Sequence, residues 1–481
     1  MHQIPKTAGE FISQLRNLLG GSADLNTARA ALSGIQCAAA TIEGMSSSQL
    51  AGELVLRPAA ALAAEAEGSG KGLFEALTRS AILTTDIKLP ETLEEAAGLL
   101  FSGFVLLFVE GGGCAAFGVQ GYDKKAVNEP SSEHNIMGSQ EGFCEALRTN
   151  ISLVRRRMKT PSLRLEMLTV GEKTNTDVCL CYLAGRAAAP MISDLRRRIK
   201  SVGLDTLLAS GALLPYLEEN TGRELFPELA ATERPDVVCA RINEGRAALL
   251  IDGSPFALIV PSLFSDSFRT VDDACSKPYF VVLMRLVRYI AFFFAVMFPG
   301  VYVAAANFHP EMLTLKLLLN LTASERSTPY SLFVEMLIIT VLLELMKEAA
   351  VRMPRAVGSA ISIAGGLVIG DAAVKSGIIS SPLLIIVGLT ATASFVIPGL
   401  AQQSSALRLV YIFAGGCAGF LGIAVVSAMI MTNVCASGSR GIPYTAPLLP
   451  FSRREAGGLL TRRSPAAAEA EHPVISDLRE R

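Results

Sequence analysis

The chain has 481 residues, 51% of them hydrophobic and 18% charged, with a formal net charge of -1 and a mean hydropathy of +0.42. That length exceeds one ordinary domain. A near-zero charge without a basic face excludes nucleic acid as a partner, because a phosphate backbone calls for clustered Lys and Arg. The averages conceal a division: residues 1–278 mix charges with short apolar runs, whereas from Tyr279 to about Asn433 charges are rare and long apolar stretches follow one another. A soluble core could not bury several such stretches, so the second half is predicted to use lipid as its solvent. The expected fold is an α/β cytoplasmic N-terminal region of two subdomains followed by an all-α polytopic transmembrane helix bundle. The expected boundaries are 1–126, 127–278, 279–436 and a cytoplasmic tail at 437–481.

In the first unit, residues 59–66 and 91–100 read as helices, the latter in ETLEEAAGLL after Pro90. The run FVLLFVEGGGCAAFGV reads as a hairpin, with its turn at Gly111 to Gly113. Those glycines read as a turn and not a phosphate cradle, since no Lys-Ser/Thr follows and no helix begins there. A polar stretch at 128–140 leads to the second unit. There a helix is predicted over 142–158, carrying Arg155, Arg156 and Arg157. A strand pair in LRLEMLTVGEKTNTDVCLCYL, a helix in PMISDLRRRIKSVG with Arg196, Arg197 and Arg198, and the strand-forming RAALLIDGSPFALIV follow. Alternating helix and strand implies an α/β domain. Both arginine triplets read as solvated helix faces, with anionic headgroups or a partner subunit as the alternative.

The sequence holds nine cysteines and no Cys-x-x-Cys. That pattern fits a reducing compartment, with Cys179 and Cys181 as small core residues on one strand face. The opening MHQIPKTAGEFISQLRNLLGG lacks a signal peptide's apolar region, so the first half is expected to stay cytoplasmic.

Five apolar blocks are predicted in the second half, at 283–306, 332–351, 357–379, 383–401 and 407–432, with a kink at Pro299-Gly300. The short MLTLKLLLNLTA between the first two is expected to rest at the interface. Arg285 and Arg288 before the first span, Arg352 and Arg355 after the second, and Arg440, Arg453, Arg454, Arg462 and Arg463 in the tail all point inward. Both ends on one side require an even number of crossings. Four crossings are expected, with one irregular block around Asp371, Lys375, Ser380-Ser381-Pro382 and Pro398-Gly399.

Several segments together resemble the GerA family, the A subunits of bacterial spore germinant receptors. In the first half these are EPSSEHNIMGSQEGFCEALRTNISLVRRRM, LRLEMLTVGEKTNTDVCLCYL, FPELAATERPDVV and EGRAALLIDGSPFALIVPSLF. In the second they are RLVRYIAFFFAVMFPGVYVAAANFHPEM, PYSLFVEMLIITVLLELMKEAAVRMPRAVGSAISIAGGLVIGDAAV and GIPYTAPLLPF. The resemblance covers about residues 129–451 in order, while the first hundred or so match poorly. It implies a role in spore germination at the inner spore membrane and an oligomer, with five subunits as the family's expected number, forming a ligand-gated ion channel. It also implies a transporter-like B subunit and a lipoprotein C subunit as partners. An accessory sporulation homologue shares the same blocks, and the residues do not separate the two.

Charges within an apolar half each ask for a reason. Glu344, Lys347 and Glu348 have helix-face spacing, which fits either a snorkelling helix end or a pore lining. Glu335 lies near the expected outer boundary, where a ring from several subunits would attract cations. Gly366 and Gly370 have the small-xxx-small spacing of close helix contacts, as do Gly415 and Gly419. Asp371 is either an outer-surface residue or part of an ion path. Asp252, Gly253 and Pro255 read as a strand turn and, given the resemblance, as the joint between the two halves. A secondary transporter is the competing class, although no internal duplication is legible. An enzyme is not expected, since four histidines without ligand spacing offer no metal site and no nucleotide loop or nucleophile elbow is present. No cofactor is expected.

Overall fold

In a computed structural model, residues 3–65, 69–79, 86–119, 121, 130, 138–219, 224–325, 328–352 and 370–449 are described. The first half is built from one order of elements used twice. In the first unit α1 (Ala8–Leu18) leads into the hairpin β1 (Leu25–Leu32) and β2 (Ile35–Ile42). The helices α2 (Ser48–Ala51), α3 (Arg57–Glu65) and α4 (Gly70–Arg79) follow, then β3 (Ile87–Lys88), α5 (Leu93–Leu100), β4 (Phe104–Val109) and β5 (Gly113–Gly118). The second unit repeats the scheme with α6 (Leu147–Arg157), β6 (Leu163–Val170), β7 (Thr176–Leu183), α7 (Ala189–Lys200), α8 (Leu214–Leu217), β8 (Ala230–Thr232), α9 (Pro235–Asn243), β9 (Ala247–Ile251) and β10 (Ala257–Val260). The strand orders are β1-β2-β4-β5-β3 and β6-β7-β9-β10-β8, and every pairing is antiparallel.

Each sheet is covered on both faces, which explains why its central strands are apolar on both sides. In the first unit Phe11, Leu15 and Ala97 cover one face, while Val55, Leu73 and Leu77 cover the other. In the second, Ile151, Val154 and Ile242 do the first task, and Leu195, Ile199 and Leu217 the second. Thr92 caps α5 by accepting the Glu95 N–H at 3.2 Å. The helix expected from 142 begins only at Leu147, because the Asn150 side chain bonds both backbone groups of Cys144 and holds that stretch extended. Cys179 and Cys181 are buried in the core with their sulfurs 3.7 Å apart.

The two units are locked by a buried arginine. Arg155 Nε donates to Asp24 at 2.7 Å, and its Nη2 donates to Ser22 at 2.9 Å and to Asp24 at 3.1 Å. Its Nη1 donates to the Thr160 carbonyl at 3.2 Å, and its guanidinium lies 5.1 Å from the centre of the Phe101 ring. The other triplet members, Arg156 and Arg157, share Glu141 near the surface. One residue of the triplet is therefore a core contact, not part of a solvated face.

The second half is helical: α10 (Pro278–Val296), α11 (Phe298–Phe308), α12 (Leu315–Glu325), α13 (Leu332–Arg352), then the helices Ser381–Phe395 and Ala401–Ala436. Two segments, Pro278–Val296 and Pro398–Ala436, are long and apolar enough to cross a membrane. The break between α10 and α11 falls at Met297, just before the expected Pro299-Gly300. Pro278–Val296 shows an outward stripe of Tyr279, Leu283, Leu286, Ile290 and Phe293.

The closing helix is not one straight rod. Gly419 adopts φ 59 and ψ -143, and the two arms fold back on each other there. Tyr411 Oη and Ser427 Oγ meet at 3.0 Å, whereas sixteen residues of straight helix would hold them about 24 Å apart. The fold-back falls in the fifth apolar block; of the third block, where with the fourth an irregular element is expected, 357–369 lie outside the described residues. The Gly300 and Gly415 backbones touch closely: a Cβ on Gly415 would sit 2.3 Å from the Gly300 carbonyl oxygen. That contact pins α11 to the first arm, as small-residue packing allows.

Candidate functional site

Leu, Ile and Met dominate α13, so its helix propensity is high and its charges stand out. Glu344, midway along it, is the centre of a polar junction. Its Oε1 accepts from Arg408 Nη1 at 3.0 Å and from Lys347 Nζ at 3.2 Å, and its Oε2 accepts from Ser405 Oγ at 3.0 Å. Arg408 is 1% exposed, and its Nε donates to the Ala295 carbonyl at the end of α10 at 2.7 Å. Three helices, α10, α13 and Ala401–Ala436, therefore meet through one arginine. Among the described residues its Nη2 has no hydrogen-bond partner.

Glu344 and Lys347 are brought together as their spacing predicts, but Glu348 instead pairs with Arg352 on the exposed side. Glu335 is apart from them. It is completely buried, and its Oε2 accepts the Ser380 backbone N–H at 3.0 Å. Asp371 forms an exposed pair with Lys375 at 2.7 Å. Gly370 is buried against Leu384, at an ordinary contact distance of 3.5 Å for an added Cβ. Gly366 lies outside the described residues.

A second polar cluster stands just ahead of α10, and its Asp273 reaches across to that helix. Asp266 takes Arg246 through both of its oxygens and Arg241 at 3.0 Å. Burial pushes the Asp266 carboxyl up, but the Arg241 and Arg246 charges outweigh it and hold it below the ordinary carboxylate range. Asp273 then accepts from Arg285 Nε at 2.8 Å and Arg288 Nη1 at 3.0 Å. Aromatic rings fill the space beside these pairs: Phe268 stacks on Tyr289 at 4.1 Å and Phe264 meets Phe292 edge-on at 5.9 Å. Residue 292 is about 21 Å along the helix from Pro278, so much of α10 runs beside the first half.

The chain returns to this cluster after its last helix. Arg440, with φ 54, donates to the Leu217 carbonyl at 2.5 Å. The Phe264 N–H donates to the Tyr444 carbonyl at 3.0 Å, and Asn433 Oδ1 accepts from the Leu225 N–H at 3.2 Å. Asp252 and Gly253 stand elsewhere, at the opposite end of the β9–β10 hairpin from Arg246 and Pro261. There Asp252 accepts the Leu147 N–H at 3.1 Å and Gly253 donates to the Glu145 carbonyl at 2.8 Å, with Pro255 half-buried in the same turn. They hold the start of α6, while Asp273 makes the ion pairs to α10.

Sequence reading passed over Arg408, Asp266 and Asp273, and took Arg155 as part of a solvated helix face. A cation inside an apolar block was the signal for Arg408. Among the described residues no group of three or more His, Cys, Asp or Glu is placed to hold a metal ion.

The family model for Bacillus/Clostridium GerA spore germination protein matches residues 13–475. The chain belongs to the GerA family. Spore germination protein KA of Bacillus subtilis is 39% identical over 369 residues, covering 76% of this chain and 68% of that protein. An uncharacterized membrane protein of the same organism, YfkQ, is 34% identical over 391 residues, covering 81% of this GerA-family chain and 76% of its own length. The crystal structure of the N-terminal domain of the A subunit of the Bacillus megaterium spore germinant receptor GerK3 is 27% identical, with a TM-score of 0.45. It covers 55% of this chain and 97% of that one.

Proposed function

We propose that this chain is the membrane subunit of a spore germinant receptor: an oligomeric, nutrient-gated conduit for cations that carries out no enzymatic step. Membership of the GerA family gives it a role in spore germination. The observation that carries the conduit reading is the buried Arg408 paired with the partly exposed Glu344, among helices whose outward side chains include Leu345, Ile385, Leu389, Phe413, Leu421 and Met429. A charge kept inside an apolar bundle costs at least about 2.5 kcal/mol on insertion scales, and such residues mark ion paths. Support for a membrane location comes from those outward faces and from the relative named a membrane protein. The same reading takes a B subunit and a lipoprotein C subunit as partners and the inner spore membrane as the location. It places the α/β half and the returning chain on the cytoplasmic side.

The test is reconstitution of the purified chain in potassium-loaded liposomes, alone and with its partner subunits, under a nutrient mixture. Nutrient-dependent potassium efflux is expected, and Glu344→Gln should lower it while assembly persists. Stoichiometric uptake driven by a gradient would favour the transporter, and no flux in any combination would remove the conduit.

A further inference from the structure

The chain leaving the closing helix makes a short hairpin. Gly438 pairs with Pro443 and Ser439 with Ile442, which leaves Arg440 and Gly441 as its two-residue turn, with φ 54 and φ 76. A turn with two positive φ values ordinarily takes Asn-Gly. Arginine holds that conformation only where its surroundings fix it. Here they do, for the side chain is 1% exposed. Besides the bond to the Leu217 carbonyl, Nη1 donates to Ser439 Oγ at 2.6 Å, and Nε lies 3.5 Å from Asp194 Oδ2. The Arg440 N–H donates to Glu219 Oε1 at 3.0 Å.

These acceptors are themselves held in place. Arg198 of α7 donates to Asp194 at 2.9 Å and to the Glu218 carbonyl at 3.2 Å, tying α7 to the residues that follow α8. Buried Glu228 takes the Glu219 N–H with both oxygens, at 3.2 and 3.1 Å. The hairpin in turn continues the helix. The Ser437 N–H donates to the Asn433 carbonyl at 2.9 Å, and the Tyr444 N–H donates to the Ser437 carbonyl at 3.0 Å. The last helical turn and the acidic cradle on α7 and α8 are therefore joined through Arg440.

We infer that the Arg440 hairpin is a latch, by which the packing of α7 against α8 sets the position of the closing helix's last turn. Asp194 belongs to α7, whereas the Leu217 carbonyl and Glu219 belong to α8 and the chain just after it. Parting of the two elements cannot keep Arg440 on all three acceptors. A buried guanidinium that loses its acceptors is driven towards water. Arg440 then withdraws, and Asn433 to Ser437 move with it. Arg440 is a positioning residue in this arrangement, since it acts through the helix end. The latch goes beyond the conduit reading and does not depend on it, because seating is read without flux.

Tryptic cleavage of the full chain in detergent provides the test. Trypsin must take the Arg440 side chain into its own pocket, so cutting of the Arg440–Gly441 bond counts released hairpins. The wild type should be cut slowly there. Asp194→Ala and Glu219→Ala, both in the α/β half, should speed that cut about tenfold, as loss of a bond to a charged group implies. The cut after exposed Lys173 should keep its rate. A nitroxide on the exposed Cys435, with Cys275 and Cys417 replaced by serine, reads the helix end. Its mobility should rise in Asp194→Ala and in Arg440→Ala, and no further when the two are combined. Should Arg440→Ala fail to fold, Arg440→Lys, which keeps the charge without the fork, replaces it. An Arg440–Gly441 cut equally fast in wild type and Asp194→Ala would overturn the latch, as would label mobility unchanged in the single variants or additive in the double variant.

Discussion

Arg155 and Arg408 are both buried arginines paired with a carboxylate on another element, one in each half of the molecule. Their surroundings differ. Every guanidinium nitrogen of Arg155 has a partner, including the Leu163 carbonyl at 3.5 Å from Nη1 and 3.4 Å from Nη2. Among the described residues Arg408 makes two bonds and leaves Nη2 without a partner, while Glu344 keeps 28% of its side chain exposed. A saturated buried pair fixes one arrangement, since any movement strands a charge. An unsaturated pair at a meeting of three helices tolerates rearrangement. The α/β half thus joins its two units through a saturated pair, whereas the helical half joins three helices through an unsaturated one.

The largest expected effect comes from breaking the saturated pair. Arg155→Ala strands Asp24 and should cost about 3–5 kcal/mol, measured as a lowered urea midpoint of the full chain in detergent. Arg155→Lys should recover little of that loss, because an ammonium cannot reproduce the forked contacts to Asp24 and Ser22. Glu344→Gln should cost less, about 1–3 kcal/mol, because a half-open partner is removed and an amide can still accept one bond. Equal losses at Arg155 and Glu344 would break the comparison.

The polar cluster ahead of α10 sharpens it through pH. The folded carboxyl of Asp266 is depressed, so its stabilisation is complete above the unfolded value near ~3.9 and is lost as pH falls through the lower folded value. The midpoint difference between the wild type and Asp266→Asn should therefore stay constant from pH 7 to about 5 and shrink only below about 4. The smallest effect is expected at the exposed pair Asp371–Lys375. There Lys375→Ala should change the midpoint by no more than the ~0–1 kcal/mol typical of surface pairs.

Much of the helical part was legible because long apolar runs admit few other states. Residues 332–351 were expected as one helix, and Leu332–Arg352 forms one. The hairpin of β1 and β2 was not legible: LNTARAAL and IQCAAATI are alanine-rich, and alanine favours helix over strand. The twofold use of one element order left no repeated residues to detect, since equal topology needs only equivalent burial patterns. Arg155 carried an unused signal, because Leu147, Ile151 and Val154 set an inward stripe on which the eighth residue after Leu147 falls. The turn at Gly419 was hidden for a different reason. A glycine in an apolar helix fits close packing as well as a positive φ, and only the meeting of Tyr411 with Ser427 distinguishes the two.

The central proposal, that the apolar helices after α10 lie in lipid with the two arms of Ala401–Ala436 folded back on each other, is tested most directly by the native cysteines. Cys275, Cys417 and Cys435 are exposed, whereas Cys37, Cys114, Cys144, Cys179 and Cys181 are buried. In sealed vesicles with the α/β half outward, a membrane-impermeant maleimide should modify Cys275 and Cys435 and spare Cys417, near the fold at Gly419, until detergent is added. Equal labelling of Cys417 and Cys435 without detergent, or release of the chain by an alkaline carbonate wash, would contradict the account.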